Sequence, residues 1–222
     1  MLGQYIDFIE LTRIFAYHSD MKKIIISILL VTVLCTASVF AQNWTVSLTA
    51  GYDHQSCNDN SCDAFGITFG ARSKFNEKLD MYADFSTHFA GTYKFVIDKD
   101  TKLSLPEKKM GFKSHLGFIY NVSTNSENFN LGLGLGASLA RSTAAKELGT
   151  DQEKYGFTNL GIALIGIGQY KINDKFALQG EIIPDMYFMN WNTKKEDHRT
   201  TIDQSNKLGF GLSAKLGVAY SF

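Results

Sequence analysis

The sequence predicts an all-β fold: an eight-stranded, antiparallel, up-and-down transmembrane β-barrel. Three observations predict it. Apolar and polar residues alternate with period two from Asn43 onward, and no segment after Ala41 keeps a stripe at helical spacing. Short and long connections alternate strictly along the chain. Aromatic residues gather at the strand ends.

The first strand sets Trp44, Val46, Leu48, Ala50 and Tyr52 against Thr45, Ser47, Thr49 and Gly51. In the second, Phe65, Ile67, Phe69, Ala71 and Phe75 oppose Gly66, Thr68, Gly70, Arg72 and Lys74. The third alternates Leu79, Met81, Ala83, Phe85 and Phe89 with Asp80, Tyr82, Asp84, Ser86 and His88. The fourth sets Phe112, Leu116, Phe118, Tyr120 and Val122 against Lys113, His115, Gly117, Ile119 and Asn121. The fifth opposes a leucine-rich row, from Phe129 to Leu139, to Asn130, Gly132, Gly134, Gly136 and Ser138.

The sixth strand, near residues 158–172, is apolar on both faces, and Leu160, Ile162, Leu164, Tyr170 and Ile172 are read as outward. In the seventh, Phe176, Leu178, Ile182, Met186 and Phe188 face out, and Gln179, Glu181, Asp185 and Tyr187 face in. Pro184 removes one ladder donor there, and a bulge at that point is expected. The eighth strand, residues 208–222, alternates throughout, with Leu208, Phe210, Leu212, Ala214, Leu216, Val218, Tyr220 and Phe222 on one face.

Three connections are short (76–78, 123–128 and 173–175) and four are long (53–64, 90–111, 140–157 and 189–207). A sheet that crosses a membrane up and down produces this rule, whereas Greek-key sandwiches have no reason to obey it. Trp44, Phe75, Tyr120, Phe129, Tyr170, Phe176, Tyr220 and Phe222 lie at the short-turn or terminal ends. Tyr52, Phe65, Phe89, Phe112, Phe157 and Phe188 lie toward the long connections, so two aromatic girdles are expected. An oily outer wall with no helix or second sheet to cover it implies lipid, and lipid requires every backbone group to be paired inside the protein. The first and eighth strands must therefore pair and close the ring.

Ahead of the strands, Met21 opens a segment with two lysines, an apolar run from Ile24 to Leu34, and Val39 and Ala41 at the small-residue positions of a cleavage site. This is the pattern of a secretory signal peptide, residues 21–41, with cleavage after Ala41. Its apolar core is too short for a spanning helix, which needs about 20 residues. Residues 1–20 are read as an upstream extension outside the true start, and residues 42–222 as the barrel. Lysine plus arginine equals aspartate plus glutamate at 22 each, so no global field favours nucleic acid.

Period, connections and the terminal Phe222 together resemble the small eight-stranded bacterial outer-membrane β-barrels, the family that includes OmpX, OmpW and the OmpA transmembrane domain. The resemblance covers residues 42–222. It implies a place in the bacterial outer membrane, contact with lipid A or its equivalent, and a final strand read by the barrel-assembly machinery. Function within that family is implied to be the display of long extracellular loops to ligands, adhesion and membrane integrity. The alternative is a narrow channel for small solutes or hydrophobic molecules, and a lipid A-modifying enzyme stands behind both.

Inward-facing Asp80, Asp84, Glu181 and Asp185 oppose Arg72, Lys74, Lys113 and Lys215. Matching depths pairs Glu181 with Lys215 and Arg72 with Asp84, giving an ion-pair network that plugs the lumen. Cys57 and Cys62 enter an oxidising compartment after export and are expected to form a disulfide. No catalytic, metal or cofactor site is expected: His88, His115 and His198 show no nucleophile and carboxylate at consistent spacing, and Asp98 and Asp100 lack the glycine and glutamate of a calcium loop.

Overall fold

The computed structural model describes residues 44–57, 60–98, 101–105, 109–122, 124, 126–148, 151–196 and 199–222. The expected signal peptide and upstream extension lie outside the described residues. Ten strands follow one another: β1 (Trp44–Cys57), β2 (Asn60–Lys74), β3 (Leu79–Asp98), β4 (Thr101–Leu105), β5 (Lys109–Val122), β6 (Phe129–Leu148), β7 (Asp151–Lys171), β8 (Phe176–Glu196), β9 (Arg199–Ser205) and β10 (Gly209–Ser221). Eight of them form the ring β10-β1-β2-β3-β5-β6-β7-β8, and β8 pairs back onto β10. β4 and β9 are short returning strands that pair with β3 and β8.

Closure is complete at the seam. β1 and β10 run antiparallel from Thr45↔Ser221 to Ser56↔Phe210, and β10 pairs β8 from Gly209↔Tyr187 to Tyr220↔Phe176. The wall therefore has no open edge there, as hydrocarbon requires. Side chains follow the period-two reading. Leu216, Leu135, Phe69 and Ile182 each expose more than 60% of their surface outward, while Tyr82, Asp84, His115, Glu181 and Lys215 point into the lumen and are buried. Outward Leu164 and inward Ile165 settle the register of the sixth barrel strand as expected.

Three features differ from the sequence reading. The long connections are largely strand: pairing continues to Cys57↔Asn60, Asp98↔Thr101, Leu148↔Asp151 and Glu196↔Arg199. β7 and β8 are 21 residues each, about twice the 9–11 a tilted strand needs to cross a bilayer, so their upper halves stand beyond it. Polar alternation with Thr, Lys and Asn made those halves look like loops, but hairpin pairing needs no apolar face.

Pro184 carries no bulge. The same register holds on both sides of it, from Ala163↔Asp185 to Gly166↔Ile182, with the two intervening pairs missing from the β7–β8 ladder. The register shift lies four residues on, where Leu160↔Met189 gives way to Gly161↔Tyr187 and Phe188 is left over. Finally, Phe157 does not join the outer girdle. It faces inward at 1% exposure and packs with Cys62, Ala64, Ala144 and Tyr155.

Phe75, Tyr120, Phe129, Tyr170, Phe176 and Phe222 are exposed on the outer wall, as are Phe65, Phe89 and Phe188. Phe176, Tyr220 and Phe222 form an edge-to-face chain with ring centroids 5.0 and 4.9 Å apart at the short-turn end. On β6, Gly132 permits close packing inside: a Cβ there would lie 2.5 Å from Ile119 Cγ2.

Because Leu216 is 75% exposed near mid-wall, Leu216→Arg should destabilise the protein in lipid vesicles by about 2–4 kcal/mol, read by urea unfolding. A soluble sheet would tolerate that surface charge with little change.

Candidate functional site: the lumenal polar chain

Seven of the eight barrel strands send polar side chains into one connected chain that climbs the lumen. At the short-turn end, Arg72 on β2 lies 3.9 Å from Asp80 and donates from Nη2 to Gln169 on β7. Gln169 Nε2 donates to Gln179 Oε1 on β8 (2.6 Å), and Gln179 Nε2 donates to Glu181 Oε1 (2.5 Å). Tyr82 on β3 then links two acids, with its hydroxyl 3.4 Å from Glu181 Oε2 and 2.8 Å from Asp84 Oδ2.

Asp84 is the busiest acceptor. It takes the His115 backbone N-H (2.8 Å), faces His115 Nδ1 (2.8 Å) and lies 3.4 Å from Lys215 Nζ on β10. Lys215 also donates to Ser86 Oγ (2.8 Å). The other ring nitrogen of His115, Nε2, is 3.1 Å from Asp185 Oδ1. Above it, Lys113 Nζ reaches Asp185 (2.5 Å) and Asp53 (3.6 Å) and donates to Ser213 Oγ (2.7 Å). Ser213 donates to Asp53, and His88 Nε2 lies 3.0 Å from the second Asp53 oxygen. Alongside stands an apolar half-core of Ile119, Ala163, Ile165, Ile167 and Ile183, with Tyr82 at the boundary.

Five carboxylates thus meet three permanent cations and two imidazoles. Charges out of reach of water are tolerated only when paired and hydrogen-bonded, and this arrangement gives each charged group at least one partner, although Arg72 Nε and His88 Nδ1 have none among the described residues.

The four residues singled out from sequence, Arg72, Asp84, Glu181 and Lys215, all lie in this chain, with different partners. Lys215 stands opposite Glu181 in register, but its ammonium turns to Asp84 and Ser86. Arg72 stands opposite Tyr82, and its guanidinium meets Asp80 and Gln169 instead of Asp84. Barrel stagger moves residues of equal count to different heights, which depth counting ignores. The sequence reading also missed Asp53, placed in a loop although it lies in β1, and treated His88 and His115 as isolated. His198 lies outside the described residues.

The girdle residues Trp44, Phe75, Tyr120, Phe129, Tyr170, Phe176, Tyr220 and Phe222 sit at the opposite end from Cys57 and Cys62. These cysteines face inward on the hairpin tip beyond the upper ring. Cys57 is opposite Asn60 and Cys62 opposite Gln55, so they are diagonal neighbours. Such diagonals are about 7–8 Å apart, beyond the usual disulfide reach. No sulfur–sulfur bond joins them: Cys57 Sγ donates to the Lys207 carbonyl oxygen (3.7 Å). Burial pushes the Cys57 thiol above its ordinary pKa and so disfavours the reactive thiolate.

Comparison with known proteins agrees with this geometry. The family model described as the outer membrane protein beta-barrel domain matches residues 27–222. The solved structure of Neisserial surface protein A superposes with a TM-score of 0.51 at 18% identity, covering 81% of this chain and 97% of that one. A major outer membrane protein from Thermus thermophilus (TM-score 0.54, 14% identity, 81% and 98% covered) and OprG from Pseudomonas aeruginosa (0.54, 10%, 81% and 95%) are similar to the same degree. No curated protein sequence matches the chain. Fold and lumen together define an integral membrane β-barrel. The chain belongs to the outer membrane protein beta-barrel domain family.

Two substitutions probe the lumen. Lys113→Met strips Asp185 and Asp53 of a buried cation and should cost about 3–5 kcal/mol in the same unfolding assay. Neither side-chain polar atom of the fully buried Gln55 has a hydrogen-bond partner among the described residues, so Gln55→Met should be neutral or stabilise by up to about 1–3 kcal/mol.

Proposed function

We propose that this protein is a sealed bacterial outer-membrane barrel whose work is done outside the membrane. Its lumen is plugged by the chain from Arg72 to His88, and the hairpins β3–β4, β6–β7 and β8–β9 are its interaction surface. The observation that carries this reading is the burial of the lumenal charges: Lys113, His115, Glu181 and Lys215 are each at most 3% exposed, which supports a lumen filled by side chains. The projecting halves of β7 and β8 support the second part, because paired strands hold a binding surface more rigidly than loops do.

Export by a signal peptide cleaved after Ala41, recognition of β10 by the assembly machinery, and contact of the outer wall with lipid A or an equivalent lipid belong to the same proposal. The proposal includes no catalysis: His88 and His115 face carboxylates inside the lumen, away from lipid. Lipid A mass should be the same with and without the protein.

A second reading has one observation in its favour. The two missing ladder pairs at Pro184 lie beside the apolar half-core, where an oily molecule could leave sideways into the membrane. Planar-bilayer recording combined with uptake of an apolar dye into vesicles separates the two. The sealed barrel predicts no unitary current steps at neutral pH and no uptake above protein-free vesicles. Regular steps from the unmodified protein while the lumenal histidine His115 keeps both ring protons would contradict it, and dye uptake without steps would favour the sideways route.

A further inference from the structure

Among the described residues, His115 is the imidazole that stands between two carboxylates. Its two ring nitrogens face two different carboxylates, Asp84 on β3 at 2.8 Å and Asp185 on β8 at 3.1 Å. A neutral imidazole has one N-H and one bare lone pair, so it can donate to only one of them. Its bare nitrogen would then point at a carboxylate oxygen, lone pair against lone pair. Only the imidazolium, which donates from both nitrogens, satisfies the two contacts together.

Its position in the chain gives this weight. The lower half runs from Arg72 through Gln169, Gln179, Glu181 and Tyr82 to Asp84, and the upper half from Asp185 through Lys113 and Asp53 to His88. Among the hydrogen bonds and ion pairs of the described residues, the two halves are joined through this ring. The charged and titratable groups around it are Asp84 and Tyr82 from β3, Asp185, Glu181 and Tyr187 from β8, Lys215 from β10 and Lys113 on its own strand. β6 sets Ser138 opposite it, and β7 contributes Ala163 and Ile165, none of which can carry charge. Both lysines are already engaged, Lys215 with Asp84 and Ser86 and Lys113 with Asp185, Asp53 and Ser213. Neither is free to take the place of the ring.

We propose that His115 is the lock of the lumen: its doubly protonated ring ties Asp84 to Asp185 and holds the plug shut, and loss of one ring proton opens a path for small cations. The released proton goes to solvent, and no covalent bond changes. Selectivity follows from the charges left behind, because the carboxylates Asp53, Asp80, Asp84, Glu181 and Asp185 then outnumber Arg72, Lys113 and Lys215. This inference rests on the sealed-lumen reading.

The test follows the ring and the current in the same protein. Nitrogen NMR of histidine-labelled protein in lipid is recorded from mildly acidic pH upward, and bilayer currents in potassium chloride gradients are recorded at the same pH values. The account expects both His115 nitrogens protonated where the barrel is silent. It expects potassium-selective steps to begin where one proton is lost. H115Q should conduct across the whole range, and H115K, which keeps the charge, should stay closed beyond the wild-type opening point. Heat-modifiable gel mobility reports whether each variant has folded, and the wild-type comparison stands without them.

A ring with one proton at mildly acidic pH overturns the proposal, as does a ring that keeps both protons until the barrel unfolds. Silence after the proton has left also overturns it. Wild-type steps while both nitrogens are still protonated would instead contradict the sealed lumen itself.

Discussion

Backbone amides in hydrocarbon have no water to turn to, and the rest of this structure depends on that constraint. An unsatisfied N-H or C=O there costs several kcal/mol, so a sheet whose outer wall is leucine, isoleucine and phenylalanine has to join its ends. The β1–β10 seam does this over a dozen residue pairs. Once the ring is closed at eight strands, the interior is just wide enough to be filled by side chains, and the period of two fixes which side chains those are. The lumenal chain is therefore a consequence of closure: a half-polar sequence, wrapped with its apolar half outward, must place its acids and bases together inside.

That inside is low in water, and the arrangement of the charges follows. Each carboxylate in the chain has a cation, an imidazole or a hydrogen-bond donor within reach; the Tyr82 hydroxyl joins Glu181 to Asp84, and Ser86 and Ser213 add bonds to Lys215 and Lys113. The glycines of β6 make room on the facing wall, so the bulk of Ile119 can pack against a strand that offers almost no side chain of its own. Polar chain and apolar half-core divide the lumen between them. Such a filling leaves the projecting ends of the long strands as the part of the sheet that closure does not fix.

How much of this was legible in the sequence depended on whether a property is local. Strand identity and facing were legible because alternation is a nearest-neighbour pattern: Tyr82, Asp84 and His88 on one side of β3 and Met81, Phe85 and Phe89 on the other can be read by eye. For the doubly apolar β7 the sequence offered two apolar faces, and the favoured one, with Leu164 outward and Ile165 inward, is the one the barrel uses. Partnership was not legible. Lys215 meets Asp84 three positions around the ring, a relation set by stagger across several strands, and no spacing along the chain encodes it. Asp53 was lost because a polar hairpin and a polar loop have similar composition. Pro184 misled in the other direction: a missing donor costs a ladder bond, and the wall gives up two pairs without shifting register.

The central claim is that first and last barrel strands pair within lipid and leave no edge. Amide hydrogen exchange of the protein in lipid bilayers tests it most directly, read residue by residue along 45–56 of β1 and 210–221 of β10. The account predicts slow exchange on both strands, comparable to the β6–β7 ladder at the far side of the ring. Fast exchange along either strand, with the rest of the sheet still protected, would show an open edge and contradict the closed barrel.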